Sequence, residues 1–270
     1  MLQLGERSAA ILMLRAVSLG VTESEEMIVK IAAKTDKGRV RESNQDAYAV
    51  GELPGEVVWA VVCDGMGGAA GGNIASALAV KVISDKINAS YRENMRDSSI
   101  KNMLHSALVA ANIEVYDMAD TQYDLKGMGT TVVCVILKDD QVYIAHAGDS
   151  RAYIARNGDI EQVTVDHSLV QDLVSKGRIT PEEAVNHPNK NLITRAIGVD
   201  KSIEIDFNQI DFTDNDMLIL CTDGLSNYVS TEEITQEISD GKYYAFADRL
   251  VKKANSNGGG DNITVVAIAK

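Results

Sequence analysis

Cysteine is scarce in this chain: three in 270 residues, Cys63, Cys134 and Cys221, each inside an apolar, strand-like segment. No CxxC pair occurs, which argues against a thiolate zinc site or a disulfide framework and fits a reducing cytoplasm. Basic charge is also in deficit. With 26 Lys and Arg against 39 Asp and Glu, the formal net charge is −13, so nucleic acid and anionic membrane surfaces are not expected partners. The most apolar N-terminal stretch, AAILMLRAVSLG at 9–20, is interrupted by Arg15 and falls short of the ~20 residues of a bilayer span. A secretory signal is not indicated either, because Glu6 offsets Arg7, the cleavage pattern is poor and the acidic TESEEM follows. Residues 1–26 therefore read as a leader, non-native or weakly ordered, ahead of a natural start at Met27; an amphipathic docking helix is the alternative. The four histidines, His105, His146, His167 and His187, share no HExxH spacing, and the glycines at 65, 67, 68, 71 and 72 lack the GxxxxGK[ST] pattern of a nucleotide loop. Repeats and interdomain linkers are missing too. A chain of this length can bury about 70–75% of its unfolded surface, and 27–270 is expected to form one domain.

What is present is an aspartate set between an apolar run and glycine, in three places: VVCDGMGG at 61–68, LILCTDGL at 218–225 and GGGDNITVV at 258–266. The first run follows a strand from about 28, a charged turn at 36–46, the short strand AYAV and a Pro-Gly turn at 54–55. Helical spacing covers 72–89 and 99–119. Strands are expected at 130–137, 141–147, 151–156 and 160–164, separated by Asp-Asp, Gly-Asp and Asn-Gly turns, which is the pattern of an antiparallel meander. A polar, helix-forming excursion then occupies 166–198, with short helices near 168–176 and 181–186. Thr180, Pro181 and Glu183 give the second of these an N-cap, a first-turn proline and a capping-box partner. Strands at 203–207 and 216–221, helices from about 231 (capped by Ser230 and Glu233) and over 243–255, and a strand at 263–269 complete the reading.

Several carboxylates at strand ends suit hard divalent cations, which take oxygen ligands and reverse the repulsion among packed acids. The candidates are Asp46, Asp64, Asp223 and Asp261, with the Gly65 carbonyl available where a side chain would obstruct an ion. Each aspartate taken singly also reads as a turn or cap residue. Arg41 suits a two-pronged phosphate contact, with a surface ion pair as its other reading. Asp149 reads as a further ligand or a hairpin cap, Arg151 as a partner for a nearby carboxylate, and His167, His187 or a metal-bound water as a proton donor, among which the sequence does not select.

Taken in order, GRVRESNQDAY, VVCDGMGG, GMGTT, AHAGDSRAYI, LITRAIG, LILCTDGL and DNITVVAIA resemble the metal-dependent serine/threonine protein phosphatases of type 2C, bacterial branch, from about 29 to 269. That resemblance implies an α+β fold: a four-layer α-β-β-α sandwich with two central, mainly antiparallel sheets flanked by helices. It implies two Mn2+ or Mg2+ ions, with Asp64 bridging them and the Gly65 carbonyl a ligand. Asp223 and Asp261 would complete one ion's ligands, and Asp46 would act near the other, directly or through water. Asp149, with Asp223 nearby, would serve a third and weaker ion. Arg41 would clamp the substrate phosphate, and 166–195 would be a flap subdomain over the cleft. Arg41, Asp46 and Asp64 are then the catalytic set, and Thr130 and Thr131 support the core. Gln45 stands where some relatives carry glutamate.

The implied activity is hydrolysis of phosphoserine and phosphothreonine in proteins by a metal-activated water, opposing a bacterial serine/threonine kinase. Its partners are phosphorylated proteins, the kinase among them, with no nucleic acid and no membrane; a cytoplasmic monomer is expected. The alternatives are a specialised phosphatase of a regulatory anti-sigma antagonist and a catalytically silent phosphoprotein-binding module.

Overall fold

The computed structural model describes residues 10–13, 29–239 and 242–270. Of the apolar 9–20 run, Ala10–Met13 form a short strand, β1, and not a helical turn; the rest of the leader lies outside the described residues. The chain then runs through β2 (Lys30–Asp36), β3 (Asp46–Leu53), β4 (Val57–Met66), α1 (Gly68–Ser90) and α2 (Asp97–Thr121). The meander follows as β5 (Gly129–Thr130), β6 (Val132–Lys138), β7 (Gln141–Ala147), β8 (Arg151–Arg156) and β9 (Asp159–Gln162). The polar excursion carries α3 (Leu169–Ser175) and α4 (Pro181–Val185). The remainder is β10 (Asp206–Asp211), β11 (Met217–Cys221), α5 (Asp223–Ser226), α6 (Thr231–Ser239), α7 (Phe246–Ser256) and β12 (Ile263–Ala269).

Two antiparallel sheets result, ordered β1-β2-β12-β11-β8-β9 and β10-β7-β6-β4-β3, with β5 added alongside β4. Strand β4 shows why the apolar runs in the sequence are unbroken. Alternate side chains of a strand point to opposite faces; here Val58, Ala60 and Val62 meet Ile31, Leu218 and Ile268 of the other sheet, while Trp59, Val61 and Cys63 pack against α1 and α2. The outer face of the other sheet does the same, with Ile219, Cys221 and Val265 under Leu225, Phe246 and Leu250. Both faces of both sheets are therefore covered, which is the expected four-layer α-β-β-α sandwich. All three cysteines are buried in these layers.

Local signals placed most elements correctly. The capping box of α4 forms in full: Thr180 Oγ1 accepts from the Glu183 N–H, and Glu183 accepts from the Thr180 N–H at 2.8 Å. The same reciprocal bonds join Ser230 and Glu233 at the start of α6. Two placements differ. The strand expected at 203–207 lies at Asp206–Asp211, because β10 takes its register from β7, pairing from Asp206 opposite His146 to Asp211 opposite Gln141. Helix α1 begins at Gly68, so Gly71 and Gly72 lie within it. Glycine is tolerated there because the helix packs backbone to backbone: a Cβ on Gly72 would sit 2.7 Å from the Gly65 carbonyl oxygen.

Antiparallel pairing also decides where the aspartates go. Strand β3 starts at Asp46 directly opposite Asp64, where β4 is ending. Strand β11 ends at Cys221, opposite Arg151 at the start of β8 and Val265 near the start of β12. Strand starts and strand ends from both sheets thus meet at one end of the sandwich. Among the described residues no helix is long and apolar enough to cross a membrane.

Candidate metal centre

A cavity of about 490 Å³ opens at that end, lined by Arg41, Gln45, Asp64, Gly65, Asp149, Asn191, Asp223, Asp261 and Asn262, among others. The structure therefore brings Arg41, Asp64, Gly65, Asp149, Asp223 and Asp261 to one wall, from segments spread across more than 200 residues of sequence. Asp46 does not line the cavity. It stands behind Asp64, where its Oδ2 accepts hydrogen bonds from the Thr222 hydroxyl at 2.9 Å and the Thr264 hydroxyl at 2.7 Å.

Asp64 is fixed by its own backbone. Its N–H donates to Thr131 Oγ1 at 2.9 Å, its carbonyl accepts from Thr130 Oγ1 at 2.8 Å and from the Thr131 N–H at 2.9 Å, and Thr131 shares a further bond with Ser150. The GMGTT segment is thus a clamp on the Asp64 main chain, and Thr131 also lines the cavity. Gly65 is held as closely: its N–H donates to the Gln45 carbonyl, and a Cβ there would collide with the Gly72 carbonyl. The Gln45 side-chain amide donates to the Gly68 carbonyl.

Asn262 is a site residue that the sequence reading did not single out. Its Oδ1 accepts from the Gln45 N–H, and its Nδ2 donates to the carbonyls of Lys37 and Ser43, each at 2.9 Å, so it ties down the loop that carries Arg41. The only sequence hint is its place between Asp261 and the β-branched run of β12. Arg41 itself donates to Asp261 Oδ2 at 2.8 Å, and this bond, with the charges of Asp64 and Asp223 nearby, raises its pKa above the ordinary value.

The electrostatics of the cluster suit a cation. Burial pushes the Asp46 carboxyl up to about 7 against the two threonine bonds, and burial with the Asp223 charge pushes Asp149 to about 7. Asp64 is raised well above the carboxylate range by burial and by the charges of Asp46, Asp223, Asp149 and Asp261; Asp223 is raised by burial and by Asp261. Asp46 Oδ1 and Asp223 Oδ1 are buried oxygens without a hydrogen-bond partner among the described residues. Mutual repulsion and orphaned hard oxygens are both relieved by a divalent ion, so the residues present fit the metal that the sequence implied.

Arg151 does pair with a carboxylate, but that of Asp166, through Nε at 2.9 Å and Nη2 at 2.7 Å, and not that of Asp149. Neither His167 nor His187 lines the cavity, so the proton-donor role is not supported for either. The His167 ring accepts from the Gly148 N–H through Nδ1, which leaves Nε2 to carry the proton toward Asp206 Oδ2, 3.2 Å away. His146 stacks on it with centroids 4.8 Å apart, and burial lowers the pKa of both rings. His146, His167 and Asp206 form a second place where one divalent ion could be held, their ligand atoms lying within 4.8 Å of one another. Arg195, at the far end of the excursion, reaches into the same cluster and donates to Asp206 Oδ1 at 2.7 Å.

Comparison with known proteins follows the same lines. The family model for protein phosphatase 2C matches residues 36–263. The serine/threonine phosphatase stp of Listeria innocua is 39% identical over 241 residues, 88% of this chain and 94% of that one. The solved serine/threonine phosphatase of S. agalactiae superposes with a TM-score of 0.85 at 35% identity, covering 89% of this chain and 99% of that one. The catalytic domain of the phosphatase PstP, solved with two manganese ions, gives a TM-score of 0.77 at 32% identity over 90% of this chain and 99% of that one. The family match spans every segment that meets at the acidic end, and with these likenesses it shows that this chain belongs to the protein phosphatase 2C family, bacterial branch, as a metal-dependent phosphatase.

Proposed function

We propose that this chain hydrolyses phosphoserine and phosphothreonine in proteins, opposing a serine/threonine kinase. The observation that carries this reading is the convergence of Asp64, Asp149, Asp223 and Asp261 with Arg41 around one cavity, backed by Asp46. Asp64, the Gly65 carbonyl, Asp223, Asp261 and Asp46 would hold two divalent ions, Mn2+ or Mg2+, and Asp149 with Asp223 a third. Bound there, such ions supply an activated water and neutralise phosphoryl oxygens. That a related catalytic domain was solved with two manganese ions supports this count.

The chain's own groups do the rest. The Arg41 guanidinium, tethered at one edge by Asp261, leaves other N–H groups for two phosphate oxygens and so fixes the phosphorus in the cavity. The threonine clamp keeps Asp64 from moving as charge develops, and the Asn262 bonds hold Arg41's loop against it. The cysteines are buried in the cores, and burial raises their thiols away from the thiolate form, so none serves as nucleophile. Residues 166–195 form the flap, whose two ends are tied together by the bonds from the Leu169 N–H to the Leu192 carbonyl and from the Thr194 N–H to the His167 carbonyl.

The test is phosphate release from phosphothreonine and phosphoserine peptides with Mn2+ or Mg2+. Turnover that disappears in chelator and returns with metal is the expected result. A folded, metal-loaded protein that binds a phosphorylated partner without releasing phosphate would establish the silent binding module instead.

A further inference from the structure

A second hollow, of about 430 Å³, adjoins the carboxylate cavity and shares Asp149, Asn191 and Asp223 with it. Helices α3 and α4 form its outer wall. Neither helix has a buried residue, and none of their side chains enters the three hydrophobic clusters of the sandwich. Val170, Val174, Ala184 and Val185 line the hollow nonetheless, and Val185 is 64% exposed. Both ends of the excursion are tethered, so this aliphatic wall is held over the hollow, and apolar surface held in a concave site favours an apolar ligand. Across from it, the charge of Arg151 is spent on Asp166, Lys190 adds a cation to the lining, and Asp149 and Asp223 are the carboxylates shared with the phosphate cavity.

We propose that this groove receives an aliphatic side chain of the protein substrate, at a position flanking the phosphorylated residue, and that α3 and α4 thereby select substrates by sequence. The occupant is a segment of the substrate polypeptide because the groove is continuous with the cavity that takes its phosphoryl group. The inference rests on the protein-phosphatase reading above and adds a subsite to it.

The experiment measures kcat/KM for phosphothreonine peptides carrying Leu, Ala or Asp at each of two positions on either side of the phosphoresidue, with p-nitrophenyl phosphate as a substrate that has no flanks. The unsubstituted enzyme is expected to prefer Leu over Asp by about tenfold or more at one of these positions, within the range an apolar pocket delivers. Val174→Asp and Val185→Asp should bring that ratio close to one while keeping both the melting temperature and p-nitrophenyl phosphate hydrolysis, since neither side chain is buried. Equal kcat/KM for all flanks would overturn the groove and leave the phosphatase reading standing, as would variants that slow every substrate alike. Hydrolysis of p-nitrophenyl phosphate with no turnover of any phosphopeptide would overturn the protein-substrate reading, and the groove with it.

Discussion

Asp46 and Asp64 face each other across one strand pair yet are held in opposite ways. Asp46 is gripped by its side chain, through two threonine hydroxyls, whereas Asp64 is gripped by its main chain and leaves its carboxylate for the cavity. Asp64→Asn should therefore remove a charge from the ion site without disturbing the fold: turnover falls by more than about a hundredfold, beyond what loss of an outer-shell partner costs, while the melting temperature in chelator stays the same or rises as repulsion is relieved. Steady-state kinetics and thermal melts on one preparation check both parts. Thr131→Val removes the acceptor of the Asp64 N–H and leaves that donor buried, so a cost of about 1–3 kcal/mol in stability is expected, together with weaker Mn2+ binding measured by calorimetry. Arg41→Ala should raise KM for phosphopeptide and weaken inhibition by inorganic phosphate, and Arg41→Lys should restore only part of either, because a lysine makes no two-pronged contact.

At the scale of elements, the sensitive places are where backbones touch. The end of β4 and the first turn of α1 meet at Gly65 and Gly72 with no room for a methyl group. Gly65→Ala is expected to cost about 1–3 kcal/mol by overpacking and to displace the candidate carbonyl ligand, so metal affinity and melting temperature fall together. The root of the α3–α4 excursion is a different kind of junction. Arg195 and His167, 28 residues apart, converge on Asp206 of β10, and His167 also accepts from the N–H of Gly148, the residue before Asp149. Gly148 holds a φ of 111°, a backbone region open mainly to glycine, so this turn is set before any ligand arrives. Arg195→Ala should increase proteolytic nicking between 169 and 192 and lower turnover of phosphopeptides more than that of p-nitrophenyl phosphate. Equal loss on both substrates would show that Arg195 does not act through the excursion.

For the whole molecule, concentrating acids at one end of the sandwich makes stability depend on pH and metal together. Asp46 and Asp149, raised from 3.8 to about 7, hold more protons folded than unfolded across that interval. Their contribution is present at acid pH and lost as pH rises through about 7, and Asp64 and Asp223 work in the same direction. His146 and His167, lowered by burial, oppose this only as the pH falls below their ordinary value of about 6.5. In chelator the melting temperature should therefore fall between about pH 5 and pH 7.5. At pH 7.5, Mn2+ at about a hundred times its Kd should return about 2.7 kcal/mol, and the same concentration should return less at pH 5, where protons compete for the ligands. A melting temperature in chelator that rose with pH over this range would show that the acids are not held together as described.

The sequence by itself determined most of the strands and helices and many of their ends, because those depend on short-range physics. Unbroken apolar runs belong to strands covered on both faces, and the Thr180–Glu183 capping box works within four residues. Motif order was enough to indicate the family and the acids. Tertiary structure alone decided how those acids divide: Asp46 withdrawn onto Thr222 and Thr264, the latter 218 positions away, and Asp64, Asp149, Asp223 and Asp261 on the cavity wall. It also decided that Arg41 meets Asp261, that Asn262 reaches back 225 positions to Lys37, and that β10 lies three residues beyond its expected start. Such contacts follow from strand register and sheet order, which join segments too far apart in sequence for local periodicity or turn chemistry to relate them.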